Sequence, residues 1–241
     1  MPTPGFVVIA FAAAVAGGFV RGASGFGGSL VMMPLLSLMT SPKFIVAPVL
    51  LLEAFAVLPV LRHFIGRAQW RVVMPICIAA FVALPFGAWA LVNADQSLIR
   101  RAIGVLVLVF SLALLAGVRH KAQPRVPTSI ALGLLSGALL GGTGIGGPPV
   151  ILYLLSSSAP SVDTRANLMV TVMAMSVAAL IVLWMRGAFM IDGPMPLWIL
   201  APGYLFGILA GMRLFGLIDE RRFRRATLGF LVVVSVVTLA V

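Results

Sequence analysis

Two glycine-rich segments stand out as the places where this chain could do chemistry: Ser24-Gly25-Phe26-Gly27-Gly28-Ser29 and Thr143-Gly144-Ile145-Gly146-Gly147-Pro148. Each interrupts an apolar run. A helix that starts inside such a break leaves its first N–H groups without intrahelical partners. Those groups, with the helix dipole, form a positive end that an anion can satisfy. Glycine gives a small cross-section and access to positive φ, and successive N–H groups in such loops form anion-binding concavities. The expected anion ligands are backbone N–H groups around Gly25, Gly27, Gly28, Gly144, Gly146 and Gly147. Hydroxyls of Ser24, Ser29 and Thr143 would add donors, and Asn167 and Thr171 fall on a later run as further candidates.

Two charges lie close to these segments. Arg21, beside the first break, could offer a bidentate donor fork to an oxyanion; the plainer alternative is snorkelling to an interface. Glu53 is the carboxylate deepest in an apolar run, Leu50-Leu51-Leu52-Glu53-Ala54-Phe55. It could carry a coupling proton, form a fixed ion pair with Arg21, or sit as a hydrogen-bonded neutral acid. Intramembrane charges are costly and usually functional. Arg213 is expected near a helix end, and Arg165 serves either as a topological charge or as a site residue. His63 and His120 have no partner at metal-ligand spacing, so no metal and no cofactor is expected. The glycines of the first segment can be forced onto dinucleotide-fingerprint spacing, but no soluble βαβ unit surrounds them.

The elements that position these residues follow from composition. The chain has 241 residues, of which 61% are apolar and only 10% charged. A soluble domain runs near 45–50% apolar and about 25% charged, so a soluble enzyme, a disordered regulator and a disulfide scaffold are excluded. Apolar runs cover 5–20, 29–39, 44–61, 72–92 and 102–118, then 128–141, 147–157, 166–185, 197–216 and 226–241. Backbone polar groups cannot go unpaired in lipid, so each run is expected to be a helix or half-helix. The first two runs of each half are short against the ~20 residues that span a bilayer. The lone cysteine, Cys77, is expected to pack. No positive charge precedes the first apolar run, so no signal peptide is expected.

The chain repeats itself. Residues 18–28 align with 137–147, and five glycines coincide. Arg100-Arg101-Ala102 similarly resembles Arg224-Arg225-Ala226. This implies a duplication, with a first repeat over 1–122 and a second over 123–241. The net charge of +11 decides the relative orientation. If each glycine break were a kink in one crossing helix, the halves would be parallel. The loop charges would then split seven to eight, with no bias. If each break turns the chain back, the halves are inverted. One face then collects Arg62, Arg67, Arg71, Arg119, Lys121, Arg125, Arg165, Arg221, Arg222, Arg224 and Arg225, and the other keeps Lys43, Arg100, Arg101 and Arg186. That bias is what the positive-inside rule requires, and it puts both termini outside the cytoplasm. The basic residues are therefore topological markers, and no nucleic-acid partner is expected.

The expected fold class is an all-α polytopic membrane protein of two inverted repeats, each a Gly-rich broken-helix hairpin plus three transmembrane helices. Inverted repeats with interrupted segments at corresponding positions point to a transporter site near the bilayer midplane. Rocking of one repeat against the other would alternate access. A passive channel built on meeting half-helices is the alternative. An intramembrane enzyme is disfavoured, because no Ser/His pair or paired carboxylates fall in the spans.

The motifs Gly18 to Pro34 (GFVRGASGFGGSLVMMP) and Gly137 to Tyr153 (GALLGGTGIGGPPVILY), with Arg165-Ala166-Asn167-Leu168 downstream, resemble those of the TauE/SafE sulfite exporter family, also called the toluene-sulfonate uptake permease family. The resemblance covers nearly the whole chain. It implies transport of a sulfur-containing oxyanion, such as sulfite or an organosulfonate, across the cytoplasmic (inner) membrane. The expected partners are that anion and the lipid bilayer; the sequence leaves a homo-oligomer open.

Overall fold

The structure is a computed structural model that describes residues 4–116, 125–155, 161–190, 197–214 and 220–240. Among the described residues it is all-helical. Ten α-helices follow in order: α1 (Pro4–Ser24), α2 (Gly28–Ser37), α3 (Val46–Ile65), α4 (Trp70–Asn93), α5 (Gln96–Leu115), α6 (Val126–Thr143), α7 (Gly147–Leu155), α8 (Ser161–Met185), α9 (Leu197–Leu214) and α10 (Glu220–Ala240). A short 3-10 turn, Pro42–Phe44, precedes α3. Each apolar run of the sequence has become one helix.

Seven of these helices are long and apolar enough to cross a membrane, α1 and α6 among them. Here the structure differs from the sequence expectation, which took the first run of each half as a short arm. The α1 helix continues through Arg21 and Gly22 to Ser24, and α6 through Gly141 and Gly142 to Thr143. Glycines tolerate a helix when tight packing holds them, so the glycine run does not end the helix at its first member.

Both helices stop in the same way. Gly25 N–H donates to Arg21 O at 2.8 Å, and Gly144 N–H donates to Leu140 O at 2.9 Å. Gly25 and Gly144 have φ of 82° and 70°, the left-handed ending that favours glycine. A hydroxyl one residue earlier completes each ending. Thr143 donates to Leu139 O at 2.7 Å and accepts from Ile145 N–H at 3.2 Å. Ser24 Oγ lies 2.7 Å from both Val20 O and Phe26 O, and Phe26 N–H points at it from 3.5 Å. After the first break α2 packs on α1: a Cβ on Gly17 would collide with Met32, and one on Gly27 would touch Val20. After the second, a Cβ on Gly146 would lie 2.6 Å from Ser136 O, two turns back on α6.

The packing between helices joins the two halves. The largest contacts are α1 on α9 and α4 on α6, followed by α5 on α10 and α3 on α8. Small residues line the first two. On α6, Gly133, Gly137 and Gly141 sit one turn apart, and a Cβ on any of them would run into backbone of Ile76, Ala80 or Leu84 of α4. On α9, Gly203, Gly207 and Gly211 meet α1 backbone in the same manner at Phe11, Val15 and Phe19. Membrane helices gain little from expelling water from one another, so close backbone approach through small residues supplies van der Waals contact instead. Large apolar side chains face outward, including Phe55, Phe86, Trp89, Trp184 and Phe206, where lipid would cover them. The α5 helix begins at Asp95, whose carboxylate accepts from Ser97 N–H at 2.7 Å. That bond holds the exposed carboxyl below its usual range.

Candidate functional site

The two glycine breaks meet at one cavity. Arg21, Phe26, Gly27, Ser29, Leu50 and Glu53 come from the first half; Leu140, Gly144, Gly146, Gly147, Pro148, Thr171, Val172, Met175 and Ser176 come from the second. Its volume is about 30 Å³, room for roughly two waters at 10–15 Å³ each. An anion of four or more heavy atoms therefore enters only when the walls give.

Lining residues pair at one sequence offset. The offset that superposes the glycines, 18 on 137, also pairs Gly27 with Gly146, Arg21 with Leu140 and Glu53 with Val172. All six residues line the cavity. The first half thus presents two charges where the second presents two hydrocarbon side chains.

Those charges are paired. Arg21 Nη1 lies 3.0 Å from Glu53 Oε2, with both side chains almost wholly buried at 5% and 4% exposure. The other carboxylate oxygen, Oε1, accepts from Ser29 N–H at 2.7 Å. Ser29 is in the first turn of α2, directly after Gly27 (φ 86°) and Gly28. The carboxylate therefore bridges a guanidinium and a helix N-terminus. Of the sequence alternatives for Glu53, the ion pair with Arg21 is the arrangement found, and Arg21 does not snorkel. Arg21 Nη2 is buried without a hydrogen-bond partner.

Tyr204 of α9 was not legible as a site residue. Its side chain is 1% exposed and its Oη is buried without a partner. A Cβ on Gly28 would lie 2.5 Å from both Tyr204 Oη and Glu53 Oε1, so Gly28 leaves room for the two oxygens. Val172 and Leu140 could have been found by applying the repeat offset to Glu53 and Arg21. No spacing rule joins Tyr204 to either.

The remaining candidates divide. Gly27, Ser29, Gly144, Gly146, Gly147 and Thr171 line the cavity, and Thr171 Oγ1 is buried without a partner. The hydroxyls of Ser24 and Thr143 are engaged in ending α1 and α6, as is the backbone of Gly25. Asn167 is drawn away from the cavity. Its Oδ1 accepts from Gln69 N–H at 2.7 Å, and its Nδ2 donates to Gln69 Oε1 at 3.4 Å. It fastens the α3–α4 connection to α8. Arg213 is exposed in the last turn of α9. Arg119, His120 and Lys121, and the side chains of His63, Arg165, Arg221, Arg222 and Arg224, lie outside the described residues.

The matching hydroxyls give a direct expectation. Thr143→Val keeps the shape but removes a bond that holds the second break, and should lower stability by about 1 kcal/mol. Thermal unfolding in detergent would show it, and Ser24→Ala should behave alike. No change in either would mean that the glycines alone set the breaks.

The sequence matches the family described as Sulfite exporter TauE/SafE over residues 9–238, nearly its full length. The chain belongs to the TauE/SafE family. No curated protein and no solved structure matches it. In this TauE/SafE chain the paired glycine breaks line a single cavity, and membership makes it a multi-pass membrane protein of an exporter-type transporter family.

Proposed function

We propose that this protein is a secondary transporter of a small sulfur-containing oxyanion, sulfite or an organosulfonate, bound between the two glycine breaks. The observation that carries this reading is the joint cavity, where N-terminal turns of α2 and α7 and the Arg21 guanidinium converge. Helix N-termini and a buried guanidinium are donors matched to oxyanion oxygens; in α7, where Pro148 and Pro149 carry no N–H, the helix dipole and the Gly147 N–H make the positive end. Thr171 adds an unpartnered hydroxyl. Family membership supports the sulfur oxyanion as cargo.

The two halves are read as inverted repeats, each with a re-entrant hairpin. Helix packing supports a two-fold relation: the first helix of each half packs on the fourth helix of the other, third on third, and fifth on fifth. The charge bias between loops selects inversion over a parallel arrangement. In this orientation both termini lie outside the cytoplasm, and the site lies near the midplane of the inner membrane. Alternating access then exposes the cavity to one side at a time, driven by a proton or the membrane potential.

Uptake of radiolabelled sulfite into proteoliposomes tests the reading. Saturation and counterflow are expected, and Gly27→Leu should abolish both, because φ at 27 is strained for any side chain. A simple pore would show neither saturation nor counterflow in the unaltered protein, and that outcome would sink the proposal.

A further inference from the structure

The ion pair at the cavity has the composition of a filled anion site. One oxygen of Glu53 faces Arg21 at 3.0 Å, and the other takes Ser29 N–H at 2.7 Å. A sulfonate or sulfite would ask the protein for the same donors: a guanidinium edge and the N-terminus of α2. We propose that the Glu53 carboxylate and the transported anion compete for one seat, so that the anion is held only after a proton has neutralised Glu53. This rests on the anion-transport reading above and deepens it.

Charge balance argues for exchange. Arg21 and Glu53 together are neutral. An anion added to the intact pair would leave a net negative charge in a site with both side chains about 95% buried, which is strongly unfavourable without a compensating cation. One proton on Glu53 restores neutrality. The proton also weakens the carboxyl's hold on Arg21 and on Ser29 N–H, freeing both for the anion's oxygens.

The surroundings fit this exchange. Arg21 Nη2 is buried, unpartnered and part of a residue lining the cavity, so a second donor already waits there. Tyr204 Oη, also buried and unpartnered, flanks Glu53 Oε1 across Gly28 and can accept from the protonated acid. Arg21 of α1 and Tyr204 of α9 are the titratable groups facing Glu53 among the described residues. From α2 it meets Ser29 N–H, and α8 brings Thr171 and Ser176 to the same cavity. Leu140 and Val172, at the equivalent positions of the second half, carry no second pair. The expected ratio is therefore one proton per anion.

Methanesulfonate, ionised across the working range, is the probe, with the full-length protein in detergent and sulfite as a second ligand. In weak buffer, adding methanesulfonate should take up close to one proton per anion bound. Affinity should fall as pH rises, approaching about tenfold per pH unit, as linkage of one proton requires. Glu53→Gln should bind with no proton uptake and no pH slope between about pH 5 and pH 8. Binding to the unaltered protein with no proton uptake and a flat pH profile would overturn the proposal while leaving the anion site standing. So would a pH slope that persists in Glu53→Gln. If neither anion binds the unaltered protein or folded Glu53→Gln at any pH, the anion-transport reading falls, and this inference with it. Should Glu53→Gln fail to fold, the proton count on the unaltered protein decides alone.

Discussion

Arg21→Ala is expected to lose both stability and transport. The substitution leaves the Glu53 carboxylate buried in α3 with Ser29 N–H as its remaining bond. Breaking a buried ion pair by removing one partner costs about 3–5 kcal/mol, against a total stability near 5–15 kcal/mol for a typical domain. Folded yield after detergent extraction and the thermal midpoint should both drop clearly. The double variant Arg21→Leu with Glu53→Val removes both charges together. It also rebuilds in the first half what the second half already has, Leu140 and Val172. Stability should return, because a hydrocarbon pair of similar volume is often as good as a buried ion pair. Transport should stay absent, since no guanidinium remains. A double variant that transports normally would show that the pair holds helices together and nothing more; an Arg21→Ala protein as stable as the original would show that it does not even do that.

Gly137→Leu is expected to be among the most damaging single changes in the scaffold. A Cβ there would fall on the carbonyl oxygen of Ala80 and lie 2.6 Å from its Cα. Backbone atoms of a packed helix cannot step aside as a flexible side chain can, so α4 and α6 must separate. Overpacking in a fitted interior costs about 1–3 kcal/mol, occasionally more, and this site also disturbs Gly133 and Gly141 on the same stripe. Gly5→Leu and Gly229→Leu are the matched controls, as nothing lies within 4 Å of a Cβ at either position. Size-exclusion profiles in detergent should show aggregation for Gly137→Leu and monodisperse protein for the controls. A monodisperse Gly137→Leu would contradict the close approach of α4 and α6.

Much of the architecture was visible in the residue order. Ten apolar runs became ten helices, because in lipid a run of that kind has few other ways to satisfy its backbone. Helix ends were less visible. The α1 helix carries on through Gly22 to Ser24, since packing against Ile208 backbone tolerates a glycine where isolated propensity would end the helix. The α10 helix starts at Glu220, ahead of its apolar run, because arginines are good helix formers. At the candidate site, the glycine breaks pointed to the segments that line the cavity, and the isolation of Arg21 and Glu53 in apolar sequence pointed to their pairing as one alternative. The tasks of Ser24 and Thr143 were not readable, as a hydroxyl beside a glycine can face a ligand or its own helix with equal ease. Tyr204 comes from a distant helix, and only the folded chain brings it to Gly28.

The contacts of α1 with α9 and of α4 with α6 have a mechanical consequence. Each couples the opening helix of one half to the penultimate helix of the other, with backbone close to backbone along the glycine stripes. Swinging the repeats against each other as they run in sequence would have to break these contacts. The stiff parts are hybrids, one built on α1 with α9 and one on α4 with α6. The cavity is lined mainly by α2, α3, α7, α8 and the two glycine breaks, and each hybrid reaches it at one residue, Arg21 from the first and Leu140 from the second.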